Sequence, residues 1–298
     1  MRQALSTRIS SSKKPGPTGP TGVRRQLDRI LLAFPPSKRL SNDPIRFPRA
    51  RLLAHAARAD IESVALLSAM LSYGRVSHFM PVLDRILAGC PPPYPAGFIR
   101  PLPGFSWPGY RLSSPDEVYR FSAAIARVVN TRGGLWEAFQ PGWMVQRSVW
   151  DGLHTLHQAL CKAAGFSLSR GLRHLLSNPV SGSCAKRWMM FLRWMVRPDD
   201  GVDLGQWLDV PPSALIMPID RHIGRFARRW GWTKRLQDDR RAAEEITAAI
   251  KKISPDDPLQ YDFAICHLGI DGLCTHGKDR TICKTCGLCE ACWGRNSP

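Results

Sequence analysis

An aspartate, Asp220, stands between an apolar stretch and a basic helical sequence in the string PIDRHIGRFARRWGW. Ile223, Phe226 and Trp230 follow helical spacing, so a helix is predicted to begin directly after the aspartate. A carboxylate at that point can accept hydrogen bonds from the first amide groups of the helix, which contributes about 1 kcal/mol. The same carboxylate can stabilise a cationic sugar or accept a proton. The local sequence leaves both roles open.

A lysine, Lys186, occupies the start of a second predicted helix. It follows the turn-forming string SNPVSGS, in which Ser183 is a candidate cap, and it precedes the apolar sequence RWMMFLRWMVR. At about 100° per residue, Lys186, Arg193 and Arg197 share one stripe of this helix. A lysine in the first turn opposes the helix dipole. Lys186 is therefore either part of a solvated basic edge or a group retained for chemistry.

Five cysteines lie in the C-terminal string CTHGKDRTICKTCGLCEAC, at positions 274, 283, 286, 289 and 292. The chain shows no signal peptide, so this density predicts a metal site in a reducing compartment rather than disulfides. A ferredoxin-like set would use Cys283, Cys286 and Cys289 with a distant fourth ligand. Four-thiolate zinc is the alternative.

The charge of the chain predicts a polyanionic partner. Among 298 residues, 42 are Lys or Arg and 24 are Asp or Glu, which gives a net charge of +18. Nucleic acid is the expected partner. An anionic membrane surface is the competing one, but the sequence contains no long basic amphipathic helix. No apolar run reaches spanning length, so we expect no membrane association and a cytoplasmic, nucleoid-associated protein.

The elements that position these residues are predicted to be helical. Residues 1–27 are basic and rich in Pro and Gly, which predicts a disordered tail; a mitochondrial transit peptide fits the Pro/Gly content less well. From residue 28 onward no strand alternation is present, which predicts an all-α fold. The segment 91–112 contains seven prolines and several aromatic residues and is predicted to form an ordered loop. Helices are predicted over residues 60–74, 76–89, 113–134, 147–165, 168–176, 184–197, 221–231, 239–252 and 258–268.

Taken together, these strings resemble the helix-hairpin-helix DNA glycosylases, the superfamily that includes endonuclease III. Gly182 matches a hairpin glycine and Lys186 the lysine four residues later, whereas Cys184 replaces the second hairpin glycine. Asp220, His222 and Arg225 match a V-D-x-H-x-x-R-like string. The early sequence LLSAMLSYG also resembles a helix that superfamily members place near the lesion.

Two branches of the superfamily are similar in more detail. The connection between Lys186 and Asp220 contains RPDDGVDLGQWLDVPPSAL, and the archaeal 8-oxoguanine glycosylases have a similarly extended connection. A little-characterised bacterial family is similar over roughly residues 28–270.

The resemblance implies a two-lobed helical domain over residues 28–270 and a metal-binding loop over residues 271–298. It implies a DNA glycosylase with AP-lyase activity, in which Lys186 attacks the sugar and Asp220 is the essential carboxylate. The excised base would be a damaged one, with an oxidised purine as the example set by the archaeal branch. The implied partner is double-stranded DNA bound by a monomer. The implied contact residues are Gly182, Ser183, Arg187, Arg193, Arg197, Arg221, His222 and Arg225.

The superfamily also carries a C-terminal [4Fe–4S] cluster on a C-xn-C-x2-C-x5-C loop. Cys274, Cys283, Cys286 and Cys292 reproduce that spacing with a longer first gap, which leaves Cys289 as the alternative ligand. Two other function classes compete with the enzyme. One is a non-catalytic DNA- or RNA-binding protein that retains the fold and a structural cluster, and the other is an iron–sulfur electron carrier.

Overall fold

The computed structural model describes residues 20–33, 40–165, 167–270, 272–275, 279–286, 288 and 292. Within these ranges every regular element is a helix and no strand is formed, which confirms the all-α class. None of the described helices combines the length and apolarity needed to cross a bilayer. The α-helices are α1 (Pro20–Ala33), α2 (Arg46–Leu53), α3 (Arg58–Leu71), α4 (Val76–Gly89), α5 (Tyr94–Gly97), α6 (Pro115–Arg132), α7 (Trp136–Gln146), α8 (Val149–Ala164), α9 (Arg170–Leu175), α10 (Lys186–Val196), α11 (Arg221–Arg229), α12 (Arg240–Lys251), α13 (Asp262–Ile270) and α14 (Arg280–Thr285).

The helix ends follow local capping chemistry where the sequence supplies it. Ser114 and Glu117 form the reciprocal capping box of α6, because each side chain accepts a hydrogen bond from the other residue's backbone N–H. The Ser148 side chain caps α8, which ends at Gly165 with φ of 100°. These two helices were predicted with nearly these bounds, and both predictions are confirmed.

Several elements differ from the predictions. α1 begins at Pro20, so residues 20–27 belong to a helix and not to a tail; Val23 and Leu27 are buried against the core and stabilise it. Residues 1–19 lie outside the described ranges. α2, α7 and α14 were not predicted, and a four-residue helix, α5, interrupts the aromatic loop.

Two helices organise the packing. α6 contacts α5, α8 and α9, and α7 packs along α8. α3 is buried on nearly all sides and contacts α2, α5, α6 and α10. At the other side of the molecule α13 packs on α11 and on α1, where the Tyr261 hydroxyl donates to Asp28 at 2.6 Å. Arg193 of α10 is paired with Asp262 of α13, which links α10 to the α11–α13 pair.

The long connection between α10 and α11 is folded into the core. Trp207 is 1% exposed, contacts Trp136 and Phe191, and donates its indole N–H to the Glu62 carboxylate at 2.7 Å. Leu135 N donates to the same carboxylate at 2.7 Å. The connection is therefore anchored at its centre, which fixes the position of the chain that leads to Asp220.

Candidate active site

A tight turn carries the chain into α10 at Lys186. Gly182 is exposed and has φ of 93°, a conformation that side chains rarely adopt. Its carbonyl accepts a hydrogen bond from Arg240 N at 2.9 Å, which ties the turn to the start of α12. Ser183 was predicted to cap α10, and this prediction is wrong. The residue before the helix is Ala185, with φ of 46°, and Ser183 Oγ accepts only from Ala185 N.

Asp220 caps α11, as the sequence predicted. Its Oδ1 accepts hydrogen bonds from His222 N at 2.8 Å and from Ile223 N at 2.7 Å. Its Oδ2 accepts from the Cys266 thiol of α13 at 3.0 Å. One carboxylate oxygen thus holds the helix end, and the other points toward α13. The cap role leaves the second oxygen available for chemistry.

Lys186 and Asp220 both lie near α13, where their charges act on the same two side chains. The charges of both residues act on Cys266 and Asp262, which lie one helical turn apart. The pKa of Cys266 lies well above its usual value because burial and then the Asp220 and Asp262 charges oppose the thiolate, so the sulfur remains a thiol donor. Burial also raises the pKa of Asp262, while the Arg193 and Lys186 charges oppose the rise.

The charge of Lys186 acts on carboxyl groups from two different elements. The lysine is partly buried, and the side chains that it affects include the carboxyls of Asp262 and Asp43. Asp43 Oδ1 accepts from Ile45 N at 3.0 Å. Lys186 therefore faces proton acceptors from α13 and from the turn before α2.

Two arginines that were predicted to bind DNA are structural instead. Arg193 is 6% exposed and is paired with Asp203 at 3.3 Å and Asp262 at 2.7 Å. Arg197 is also 6% exposed and is paired with Asp203 and, at 3.0 Å, with Asp257. The basic stripe of α10 lies inside the protein because acidic residues of the following segments neutralise it.

The Arg187 side chain also points into the protein. Its guanidinium donates to Met70 O at 2.6 Å and to His174 O, which joins the start of α10 to the ends of α3 and α9. Arg187 was predicted to contact DNA, and its guanidinium points toward the ends of α3 and α9 instead of the open face of α10.

The basic residues of α11 remain accessible. Arg221 and Arg225 are exposed, and neither forms an ion pair with any described residue. His222 is partly buried, its ring packs on Gly269 of α13, and its Nδ1 lacks a hydrogen-bond partner among the described residues. The predicted phosphate contacts of α11 are thus positioned beside Asp220, with His222 packed beneath them.

The C-terminal cysteines come together, although they are not arranged as a closed metal site. The Cys286 thiol is affected by the charges of Cys274, Cys283 and Cys292, and Arg229 Nε donates to Cys292 Sγ at 3.0 Å. These four cysteines form no disulfide. Cys289 lies outside the described residues, so its role as a ligand stays a prediction.

Within the described ranges, no group of three or more His, Cys, Asp or Glu side chains has the arrangement that holds a metal ion. Four cysteine thiols are the donor set that an iron–sulfur cluster would use. The donor set therefore fits the group.

Three groups of the site were not predicted: Asp43, Asp262 and the contact of Cys266 with Asp220, since Cys266 was interpreted as a core residue. Asp262 and Cys266 lie four positions apart in QYDFAICHLGI, so a helix places them on one face. That spacing was the available signal. For Asp43 the sequence contains no comparable signal, because its proximity to Lys186 depends on tertiary packing.

Comparisons with known proteins give a family without an assigned activity. A family model described as "Protein of unknown function (DUF2400)" matches residues 43–271, which include the whole Lys186–Asp220 site. No curated protein and no solved structure matches the chain.

Proposed function

The chain belongs to the DUF2400 family, and we propose that it is a DNA glycosylase with AP-lyase activity. The observation that supports the proposal is that Lys186 and Asp220, each at the start of its own helix, both act on Cys266 and Asp262 of α13, and that Asp220 accepts a hydrogen bond from Cys266. An amine and a carboxylate in one site are the pair required to cleave a glycosidic bond through a covalent intermediate.

In the proposed reaction the unprotonated Lys186 Nζ attacks C1′ of the target nucleotide. The N-glycosidic bond breaks, its electron pair leaves with the base, and the base takes up a proton. Nζ then loses one proton, and the C1′–O4′ bond breaks while O4′ takes up a proton, which leaves a protonated Schiff base between Nζ and C1′. Removal of a C2′ proton then expels the 3′ phosphate by β-elimination, and water releases the lysine.

Asp220 would take part in two steps of this reaction. Its carboxylate charge stabilises the positive charge that develops on the sugar as the base departs. Its Oδ2, which is not used by the helix cap, can accept the proton that Nζ must lose. Because Oδ1 accepts two backbone N–H groups, the carboxylate is held rigidly, which favours both roles.

Double-stranded DNA is the proposed substrate. The exposed Arg221 and Arg225, which lie four positions apart on α11, can contact phosphates beside the site, and the amides of the Gly182 turn can contact another. A base stacked within a duplex cannot reach Lys186, so the target nucleotide would be flipped out. The proposed target is a damaged base, with oxidised purines as the first class to test, and the proposed enzyme acts as a monomer at the nucleoid.

The two-lobed glycosylase architecture and a [4Fe–4S] cluster are parts of the same proposal. Cys274, Cys283, Cys286 and Cys292 would hold the cluster, with Cys289 as the alternative ligand and zinc as the alternative metal. When bound, the cluster would supply a structural clamp for the C-terminal segment. Arg229 already links Cys292 to α11, the helix that Asp220 caps.

The proposal is tested by single-turnover base release from duplexes that each contain one damaged base, oxidised purines included. Lys186→Gln and Asp220→Asn are compared with Lys162→Gln, an exposed lysine of α8, and with Asp239→Asn, the cap of α12. Asparagine also caps helices well, so both aspartate variants should remain folded. We expect base release to be lost in the two site variants and retained in the two controls.

Two results would contradict the proposal in different ways. Base release that survives Asp220→Asn would restrict Asp220 to its cap role. Tight duplex binding by the wild-type protein, with no base released from any substrate and no reaction with abasic DNA, would instead identify a non-catalytic nucleic-acid-binding protein.

A further inference from the structure

Arg187 and Arg193 of α10, and Arg197 directly after it, are partly or fully buried. They differ in which groups compensate their charge. Arg193 and Arg197 are paired with carboxylates. Arg187 donates only to the carbonyls of Met70 and His174 and to a serine hydroxyl, and in the described part of the chain no carboxylate pairs with it. Burial lowers the pKa of Arg187 to about 10. A largely desolvated cation that has no carboxylate partner favours an anion that a ligand supplies.

Further cationic groups gather around the same point. The Arg187 guanidinium lies 5.3 Å from the centre of the Tyr73 ring, and that of Arg111 lies 5.9 Å from it. The His174 ring packs edge-on against Tyr73, with the ring centres 4.6 Å apart. We call these four residues the Tyr73 cluster. Tyr110, which packs on Tyr73, completes its wall.

Two residues with positive φ bring these groups together, and the conformation of Arg111 costs conformational free energy. Arg111 is exposed and adopts φ of 51°, a sparsely populated conformation for a residue with a side chain. Gly74 has φ of 88°, and a Cβ atom there would lie 2.6 Å from Arg111 Nη1. The positive φ at Gly74 favours glycine in the loop that packs against Arg111.

The environment of His174 shows the same lack of an acidic partner for the arginine charges. Its Nε2 is buried and has no hydrogen-bond partner among the described residues. Burial lowers the pKa of His174, and the charges of Arg187 and Arg111 lower it further. The titratable and charged groups that face the ring are Tyr73, Arg111 and Arg187, and in the described ranges no acidic side chain stands among them.

We propose that the Tyr73 cluster is an anion subsite that receives a backbone phosphate of bound nucleic acid. Arg187 directly follows Lys186 at the start of α10, so the cluster adjoins the N-terminal end of the helix that carries the proposed nucleophile. The net charge of +18 favours nucleic acid as the source of the phosphate. This inference rests on the DNA-binding part of the proposed function and not on its chemistry.

The direct test is an NMR titration of His174 in the intact protein. The ring is followed from pH 5 to pH 8 alone, with inorganic phosphate, and with a short undamaged duplex. A phosphate that enters the cluster stabilises the imidazolium and raises the pKa of His174. Because the duplex is undamaged, the result does not depend on base excision.

A second measurement follows duplex affinity as a function of salt. Arg111→Gln removes one cation from the cluster and should reduce the slope of log K against log[salt] by about 0.9, the value for one phosphate contact. Arg100→Gln, an exposed arginine in the same loop region, is the matched control and should leave the slope unchanged.

The proposal is overturned by either of two outcomes. One is a His174 pKa that neither phosphate nor duplex changes. The other is a response to free phosphate alone, with Arg111→Gln and Arg100→Gln giving the same salt slope on DNA. If base excision fails while both measurements succeed, the subsite stands and only the enzymatic proposal falls.

Discussion

Replacing Arg193 with methionine separates a structural role from a DNA-contact role for the basic residues of α10. Arg193 Nη1 donates to Asp262 at 2.7 Å, and its Nε and Nη2 donate to Asp203 at 3.3 Å. Methionine keeps an unbranched chain in the core but removes the charge. Both carboxylates then remain buried without this partner.

The expected loss of unfolding free energy is about 3–5 kcal/mol, the usual effect of removing one member of a buried ion pair. That is a large share of the stability of a typical protein, about 5–15 kcal/mol. The double variant Arg193→Met/Asp203→Asn should be more stable than Arg193→Met. It removes one of the two buried carboxylate charges that lost Arg193 as a partner.

The loss should also depend on pH. Burial already raises the pKa of Asp203 to about 6, although two arginines oppose the rise. Without Arg193 the folded-state pKa rises further above the unfolded value, so the variant gains protons on folding. Its stability is then fully present at low pH and is lost as pH rises through the folded pKa. The difference from wild type should therefore be small near pH 4 and largest above pH 6.

Urea denaturation at several pH values measures the effect, with duplex affinity determined on the folded fraction. Arg225→Gln is the matched control, since Arg225 is exposed on α11. It should change stability by no more than about 0.5 kcal/mol and should weaken DNA binding. The reasoning is refuted if Arg193→Met leaves stability unchanged while it reduces the salt dependence of DNA binding as Arg225→Gln does.

Three further predictions use other contacts. Ser114→Ala removes the capping box of α6 and should lower the unfolding free energy by about 1 kcal/mol, seen as a lower Tm; an unchanged Tm would contradict the cap. Asp220→Asn should speed alkylation of Cys266 by iodoacetamide, because loss of the carboxylate charge lowers the pKa of that thiol; peptide mass spectrometry measures the rate, and equal rates would count against the contact. Burial lowers the pKa of His157, so charging its ring destabilises the fold as pH falls below about 6.5. His157→Gln should therefore lose less stability than wild type between pH 7 and pH 5, and an equal loss would contradict this.

The helices that carry strong end signals were predictable from sequence. α6 and α8 begin with serine caps and bury one apolar stripe each, so their local sequence contains the information that sets their bounds. α7 was missed because Pro141 lies inside it, and its helix is stabilised by packing against α8. α1 was missed over its first turns because a basic composition concealed Val23 and Leu27, whose burial is a tertiary effect.

Of the contacts within the site, the helix cap that Asp220 forms was predictable from the sequence. The misinterpretation of Arg193 and Arg197 has a physical cause: helical spacing shows that the arginines share a face, but it does not show which face the rest of the chain covers. Asp203 and Asp257, which neutralise them, lie in segments without periodicity. The contact between Asp220 and Cys266 likewise arises from the packing of α11 on α13.

The most direct test of the proposed chemistry is borohydride trapping with an abasic duplex. Reduction of a Schiff base fixes the DNA to the attacking amine, and peptide mass spectrometry identifies that amine. The account predicts an adduct on Lys186 in the wild-type protein and in Lys162→Gln, and no adduct in Lys186→Gln. An adduct that persists in Lys186→Gln, or that maps to another residue of the wild-type protein, would contradict it.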